Sequence, residues 1–218
     1  MKRSRWLAVP VLTATLWRPA PVAAWDFDWA GKVESDTSDL LRSDDVAQRV
    51  TGVRLLGSFD LSLTEEQLIA ALADSQVPVR MEAARVLGQR GSQRAGATLI
   101  GWLADGDAKV RAMAAEALGG IGGRIATDAL IRSLGDADGG VRQRAVVALG
   151  AIGRRGDTSV AMSLVARLED DKSDVKRAAI EQLVALRERR AIIPLAARLG
   201  DPSPDVKKDA ARALAQLG

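Results

Sequence analysis

The sequence contains no cysteine, no histidine and no tyrosine, and only two phenylalanines among its 218 residues. Without cysteine the chain can form no disulfide, no thiolate nucleophile and no thiolate-ligated metal site. Without histidine it lacks the side chain that most often serves as general base and metal ligand. The other catalytic residue types, which are carboxylates, lysine and serine, are scattered over a repeating pattern. We therefore expect a protein that is not an enzyme and that binds no metal and no cofactor.

The first 24 residues differ in character from the rest of the chain. Lys2, Arg3 and Arg5 precede a mostly apolar stretch over residues 6–17, and residues 22–24 are small. This pattern is typical of a secretory signal peptide and predicts cleavage after residue 24. An uncleaved membrane anchor is the alternative, but a span needs about 20 apolar residues and prolines interrupt this stretch. The sequence thus predicts a periplasmic or secreted protein with no membrane span after cleavage.

The positive net charge of the chain belongs to this leading segment. The segment has four cations and no acid, so the rest of the chain has 27 basic and 28 acidic residues, a net charge of −1. A nucleic-acid groove needs a basic stripe or stacking aromatic side chains. Neither is present, and we expect no nucleic-acid partner.

Residues 25–37 form a short lead segment that is rich in aromatic and acidic side chains. Trp25, Phe27 and Trp29 alternate with Asp26 and Asp28. Two interpretations remain open. The segment covers the first unit of a helical array, since terminal units need a cap, or it is a docking peptide for a partner.

A repeat occupies the remainder of the chain. Five segments align without a gap from Leu72, Leu103, Leu134, Leu168 and Leu199, at spacings of 31, 31, 34 and 31 residues. In every segment an aspartate lies five residues before a valine; the aspartates are Asp74, Asp105, Asp136, Asp170 and Asp201, and the valines are Val79, Val110, Val141, Val175 and Val206. The five units span residues 61–91, 92–122, 123–153, 154–188 and 189–218, and a degenerate unit over 38–60 precedes them. Such a fixed period is the signature of a repeat architecture.

Each unit has the periodicity of two helices. In the second half, apolar residues fall at offsets 0, 4, 7, 8 and 11 from the valine, as in Val110, Ala114, Ala117, Leu118 and Ile121. At 100° per residue these positions share one stripe of an α-helix. Leucines four residues apart mark the first half of each unit. The sequence predicts an all-α protein, an α-solenoid of about five to six helical hairpins with one continuous core.

These motifs resemble the short HEAT repeats first noted in phycobilisome lyase subunits. The resemblance implies a ladder of hydrogen bonds between units, made by an aspartate and the Arg or Lys six residues later, such as Asp136 and Arg142. The cation lies at the edge of the buried stripe, where it can reach a neighbouring turn. Arg111→Ala should therefore destabilise the fold and leave partner affinity nearly unchanged. The di-iron hydroxylases built on these repeats need histidine ligands, which excludes that activity here.

The turns between helices are rich in acids and glycine. Asp105 with Asp107, and Asp170 with Asp171, invite a calcium hypothesis because carboxylates are suitable ligands. We favour helix capping and turn formation, since no EF-hand loop is present. Gly91, Gly122 and Gly153 fall where the second helices are predicted to end.

Candidate binding residues lie at offsets 2, 3 and 6 from each valine, on the exposed side of the second helices. They are Met81, Arg85, Met113, Glu116, Gln143, Arg144, Val147, Arg177, Glu181, Lys208 and Arg212. Met81, Met113 and Val147 offer apolar contact among mixed charges, which suits a protein or peptide partner. We therefore predict a protein-protein interaction scaffold or adaptor, with end-to-end self-association through the C-terminal repeat as a further possibility. A chromophore lyase-like subunit, or an accessory subunit of an enzyme complex, is the alternative; the predicted export argues against the former. A HEAT-like DNA glycosylase is disfavoured by the neutral charge.

Overall fold

The computed structural model describes residues 37–59 and 62–218, and the chain is helical over most of both ranges. Residues 37–41 are helical and precede the helices α1 (Val46–Ser58), α2 (Ser62–Ala71), α3 (Val77–Arg90), α4 (Gly96–Trp102), α5 (Ala108–Ile121), α6 (Arg124–Ser133), α7 (Gly139–Arg154), α8 (Ala161–Ala166), α9 (Ser173–Ala185), α10 (Ile192–Ala197) and α11 (Pro204–Leu217). No strand occurs in these two ranges, and no helix in them is long and apolar enough to cross a bilayer. The predicted signal peptide, and the lead segment as far as residue 36, lie outside the described residues.

The helices pair into hairpins that stack in two layers. The second helices are α1, α3, α5, α7, α9 and α11, and each packs on the next one along the chain. The first helices, which are residues 37–41, α2, α4, α6, α8 and α10, form the other layer, and each packs against the second helix of its own unit. The chain is thus an α-solenoid, and the predicted fold class is confirmed.

The core lies between the two layers and is built from small aliphatic side chains. One leucine of each first helix is fully buried in five successive units: Leu68, Leu99, Leu130, Leu164 and Leu195. In the same five units, the valine that opens the stripe of the second helix is also buried. No single hairpin could remove these side chains from water, so the burial that stabilises the fold arises at the contacts between units.

Aspartate and serine begin several of the second helices. Asp107 Oδ1 accepts a hydrogen bond from the backbone N–H of Lys109 at 2.8 Å, and Asp45, Asp138 and Ser203 cap their helices in the same way. Asp105 instead closes the turn, since its Oδ1 accepts from the N–H of Asp107 at 2.8 Å. These acids therefore satisfy free N–H groups at helix starts and turns.

Glycine ends two of the three helices where it was predicted to do so. Gly91 and Gly122 are the C-caps of α3 and α5 and have φ of 67° and 70°. The prediction for Gly153 is wrong, because α7 continues to Arg154 and the left-handed residue is Gly156, with φ of 107°. The repeat between Leu134 and Leu168 is 34 residues long instead of 31, and its three extra residues lengthen both α7 and the loop that follows α7. At the matching place after α9, Arg187 has φ of 53°.

Neighbouring second helices touch through one recurring pair of positions. Offset 9 from the valine of one helix meets offset 7 of the next: a Cβ built on Gly88 would lie 2.7 Å from Ala117 Cα, and one on Gly119 only 2.6 Å from Ala148 Cβ. Only glycine permits this approach. The next contact of this kind joins Gly150 of α7 to Gln182 of α9. At offset 9 of α9 itself, valine (Val184) replaces the glycine.

The predicted ladder of hydrogen bonds is present between most units. Arg111 donates from Nε and Nη2 to Asp136 of the next unit at 2.8 and 2.9 Å, and from Nη1 to the carbonyl oxygen of Asp105 in its own turn at 2.8 Å. The same fork joins Arg49 to Asp74 and Arg142 to Asp170, while Lys176 Nζ donates to Asp201 at 2.6 Å. Within the described residues Arg80 breaks the series, because it binds carbonyl oxygens of its own turn and makes no ion pair with Asp105.

Candidate functional site: the inner face of the second helices

The candidate binding residues lie on the exposed side of the second-helix layer, which we call the inner face. None of the eleven is buried, and Glu116, Arg144, Val147, Arg177, Glu181, Lys208 and Arg212 are exposed. Met113 packs partly against the core. Ala178, at offset 3 of α9, is buried and belongs to the core cluster, although that offset was predicted to face solvent. The helical offsets therefore place the candidates on one surface.

Many charges of the inner face pair with one another across neighbouring helices. Arg54 Nε and Arg85 Nη2 both bind Glu82 Oε1, at 3.0 and 2.6 Å. Arg144 Nη1 lies 2.9 Å from Glu116 Oε2. Such pairs on exposed side chains contribute little to stability. They do reduce the free charge that a partner would meet on this part of the surface.

The C-terminal third of the inner face contains a groove of about 480 Å³ between α7, α9 and α11. It brings together five of the predicted residues: Gln143, Val147, Arg177, Glu181 and Arg212. Ala178, Ile180, Val184 and Ala213 form its apolar lining, and Asp174, Asp209 and Gln216 complete the polar rim. The other six candidates, which are Met81, Arg85, Met113, Glu116, Arg144 and Lys208, lie outside this groove.

The groove lies where the repeat has valine in place of a contact glycine. The central helices have glycine at offset 9, whereas α9 has Val184 there. Val184 and Ala213 of α11 both line the groove. A branched side chain at this place keeps two helices farther apart than a glycine does. The offsets used for the sequence prediction did not include Val184, Asp174 or Gln216. Comparing offset 9 across units would have singled out Val184.

The ion pairs of the inner face shift the pKa values of their members. Hydrogen bonds from Arg85 and Arg54 keep the pKa of Glu82 below its ordinary value, although partial burial opposes them. The hydrogen bond to Asp209 raises the pKa of Arg177. Paired charges of this kind remain ionised near neutral pH and are not poised to exchange protons.

The ladder carboxylates are shifted in the same direction and lie away from the groove. Burial raises the pKa of Asp170, but hydrogen bonds from Arg142 and from the backbone N–H of Lys172 outweigh it and leave the pKa below its ordinary value. The hydrogen bond from Arg111 likewise lowers the pKa of Asp136. In the described ranges, no group of three or more acidic side chains is arranged to hold a metal ion. The ladder aspartates accept hydrogen bonds from cations of the preceding unit, and they therefore join the units.

Three solved structures have a similar fold. The complex of CpcE and CpcF of phycocyanin lyase from Nostoc sp. PCC7120 contains a chain with 26% identity over 95% of this chain and 82% of that one, at a TM-score of 0.60. YibA of Escherichia coli has 22% identity over 86% and 71% of the two chains, also at a TM-score of 0.60. A designed armadillo repeat protein in complex with the peptide (KR)4 has 20% identity over 84% and 98%, at a TM-score of 0.53.

Sequence comparison identifies the family directly. Comparison with curated proteins gave no match. The model of HEAT repeats matches residues 36–108, 97–171 and 161–218, so the matches together cover all the units described above. Since the repeat periodicity, the stacked hairpins and the ladder of charged hydrogen bonds agree with this match, the chain belongs to the family of HEAT repeat proteins.

Proposed function

We propose that this protein is a non-enzymatic scaffold that binds an extended segment of another protein in the groove between α7, α9 and α11. The observation that carries the proposal is the groove itself, which combines an apolar lining with a charged rim across three helices. Val147, which is apolar and 39% exposed, lines the groove and offers an apolar contact there.

Two further features support binding rather than catalysis. Many charged groups of the inner face are paired with each other, and in the described part of the chain every carboxyl group with a shifted pKa is shifted downward. A general acid needs the opposite shift. In addition, the designed armadillo repeat protein mentioned above holds a peptide, so a solenoid of similar fold can accommodate an extended chain.

A pair of matched substitutions tests the proposal. Val147→Asp places a charge in the groove, whereas Ile193→Asp places the same charge on α10, where the apolar side chain is 83% exposed. Peptides selected from a displayed library on the unmodified protein should lose most of their affinity for the Val147 variant and retain it for the Ile193 variant. Equal melting temperatures of the two variants would show that folding is intact. Equal binding to both would contradict the proposal.

We further propose that the protein works outside the cytoplasm, because residues 1–24 have the pattern of a cleaved signal peptide. N-terminal sequencing of the protein recovered from the envelope or medium of its host should begin at Trp25. A chain that still begins at residue 1 or 2, recovered with the cytoplasmic fraction, would contradict this.

The similarity to a chain of the phycocyanin lyase complex favours a second candidate, an accessory subunit of a lyase-like complex. This function predicts a stable complex with a second repeat protein or with another copy of this chain through the C-terminal repeat. Light scattering and mass spectrometry of the protein purified from its host distinguish the two. A monomer without a co-purified repeat protein argues for the scaffold function.

A further inference from the structure

The groove contains more acid than base, and its charges are unequally paired. Three acids, Asp174, Glu181 and Asp209, line it together with two bases, Arg177 and Arg212. A groove residue without a partner is available to a ligand, whereas a paired one must first be separated from its neighbour. Which charges are free therefore decides what the groove selects.

Both arginines are engaged by acids of α11. Arg177 Nε donates to Asp209 Oδ2 at 2.8 Å, and its Nη1 lies 3.9 Å from Asp205 Oδ2. Arg212 Nη1 lies 3.5 Å from Asp209 Oδ1. Arg177 thus reaches across the groove to α11 and makes its hydrogen bond there.

Two carboxylates on α9 make no hydrogen bond and are free in this sense. Asp174 and Glu181 are both exposed, and neither makes a side-chain hydrogen bond or ion pair with any residue that the structure describes. The pKa of Arg177 is raised chiefly by Asp209 and to a smaller extent by Asp174, so Glu181 is the less compensated of the two acids. They are seven residues apart, so they share one side of α9 and stand about 10 Å apart along its axis. Between them lies Ala178, a small side chain in the lining of the groove. The free negative charge thus flanks an apolar contact site.

From this arrangement we infer that the groove selects an extended peptide in which lysine or arginine flanks a small aliphatic residue. A basic side chain pairs with Glu181, a second one reaches toward Asp174, and the aliphatic side chain packs over Ala178 and Val147. About three residues of extended chain cover the distance between the two acids. An acidic peptide would face the two free carboxylates while both arginines stay bound to Asp209. This inference rests on the proposed function, since it names the segment that the same groove takes.

A displayed library of random dodecapeptides, selected on the full chain, tests the inference. Peptides selected on the unmodified protein should be enriched in lysine and arginine. In a selected peptide, replacing the basic residue that pairs with Glu181 by glutamine should weaken binding about fivefold. With Glu181→Gln this loss should fall below about twofold, and Glu181→Lys should shift the selection toward aspartate and glutamate. Glu66→Lys makes the same charge change on α2, where the side chain is exposed, and should leave the selection unchanged.

The outcomes separate the two levels of the proposal. If the selected peptides require Val147 but show no basic enrichment, or keep it in Glu181→Lys, the charge selection is wrong and the binding groove stands. If no selected peptide depends on Val147, the groove is not the binding site and both proposals are overturned. Melting curves of all variants must coincide within a few degrees, which excludes unfolding as the cause of any loss.

Discussion

The central and C-terminal parts of the inner helix layer are built on the same repeat but are packed differently. In the centre, α3, α5 and α7 meet through Gly88 on Ala117 and Gly119 on Ala148, so close that a single added carbon would clash. In the C-terminal part, Val184 occupies the corresponding position of α9 and lines a groove. The same repeat motif thus occurs with a closed helix contact in the centre and with an open groove in the C-terminal part.

The two parts also differ in the hydrogen bonds that join successive units. The central ladder uses arginine forks, such as Arg142 on Asp170, whereas the last one uses the single amine of Lys176. In the C-terminal units, an arginine directly after the first helix makes a further bond to the preceding unit: Arg167 Nη1 donates to the carbonyl oxygen of Leu134 at 3.0 Å, and Arg198 Nη1 to that of Leu168 at 3.2 Å. The C-terminal units are thus tied on the outer layer and more open on the inner one.

We expect the largest loss of stability from a substitution that breaks the glycine contact between the central helices. Gly119→Val should lower the free energy of unfolding by about 3 kcal/mol or more, because its Cβ would lie 2.6 Å from Ala148 Cβ and the helices would have to separate. Gly101→Ala in α4, where an added Cβ meets nothing within 4 Å, should change stability by less than about 1 kcal/mol. Urea unfolding of both variants measures the difference. Similar losses would show that the central contact is not the close one described.

A smaller effect is expected from removing one fork of the ladder. Arg142→Met should cost about 2 to 3 kcal/mol, because Asp170, whose side chain is 2% exposed, loses both hydrogen bonds from the Arg142 fork and keeps as a charged partner only the more distant Arg167, at 3.6 Å. Arg80→Met is the control, since Arg80 makes no ion pair with Asp105 although both residues are described, and it should cost clearly less. Chemical denaturation at pH 7 compares them. Peptide affinity should be the same in both variants if the ladder is structural.

We expect the smallest change in stability from a substitution that gives the end of α9 the glycine found at the ends of α3 and α5. Arg187 has the left-handed φ of 53° that Gly91 and Gly122 adopt at the ends of their helices. Arg187→Gly should stabilise the protein by about 0.5 kcal/mol, as relief of backbone strain exceeds the added entropy of the unfolded chain. Thermal melting shows the sign. A lower melting temperature would mean that the arginine side chain contributes more than its backbone costs.

The sequence predicted those features that recur in every unit. The period of apolar residues was sufficient to predict stacked helical hairpins, and the spacing of Asp136 and Arg142 was sufficient to predict the ladder. It did not predict the end of α7, because Gly153 looks like a helix stop until its packing against Val160 and Leu186 is known. Nor did it predict the failure of Arg80 to reach Asp105, which depends on the orientation of one side chain.

The candidate site was predicted less completely than the fold. Helical offsets placed Val147, Arg177 and Glu181 on one surface, because each helix face follows from its own sequence. They could not show that these residues share a groove, since its width depends on contacts between different helices. The predictions for residues 1–36, including both interpretations of the lead segment, stay predictions.

The close glycine contacts of the centre have a mechanical consequence. In a solenoid each unit contacts only its neighbours, so the units are joined in series and an applied force deforms the weakest contact most. Here α3, α5 and α7 meet at glycine in close backbone contact, whereas α9 has the side chain of Val184 at the matching place. If the molecule is pulled or twisted by a partner, the deformation should concentrate at the C-terminal turns, and the groove would widen or narrow while the centre keeps its shape.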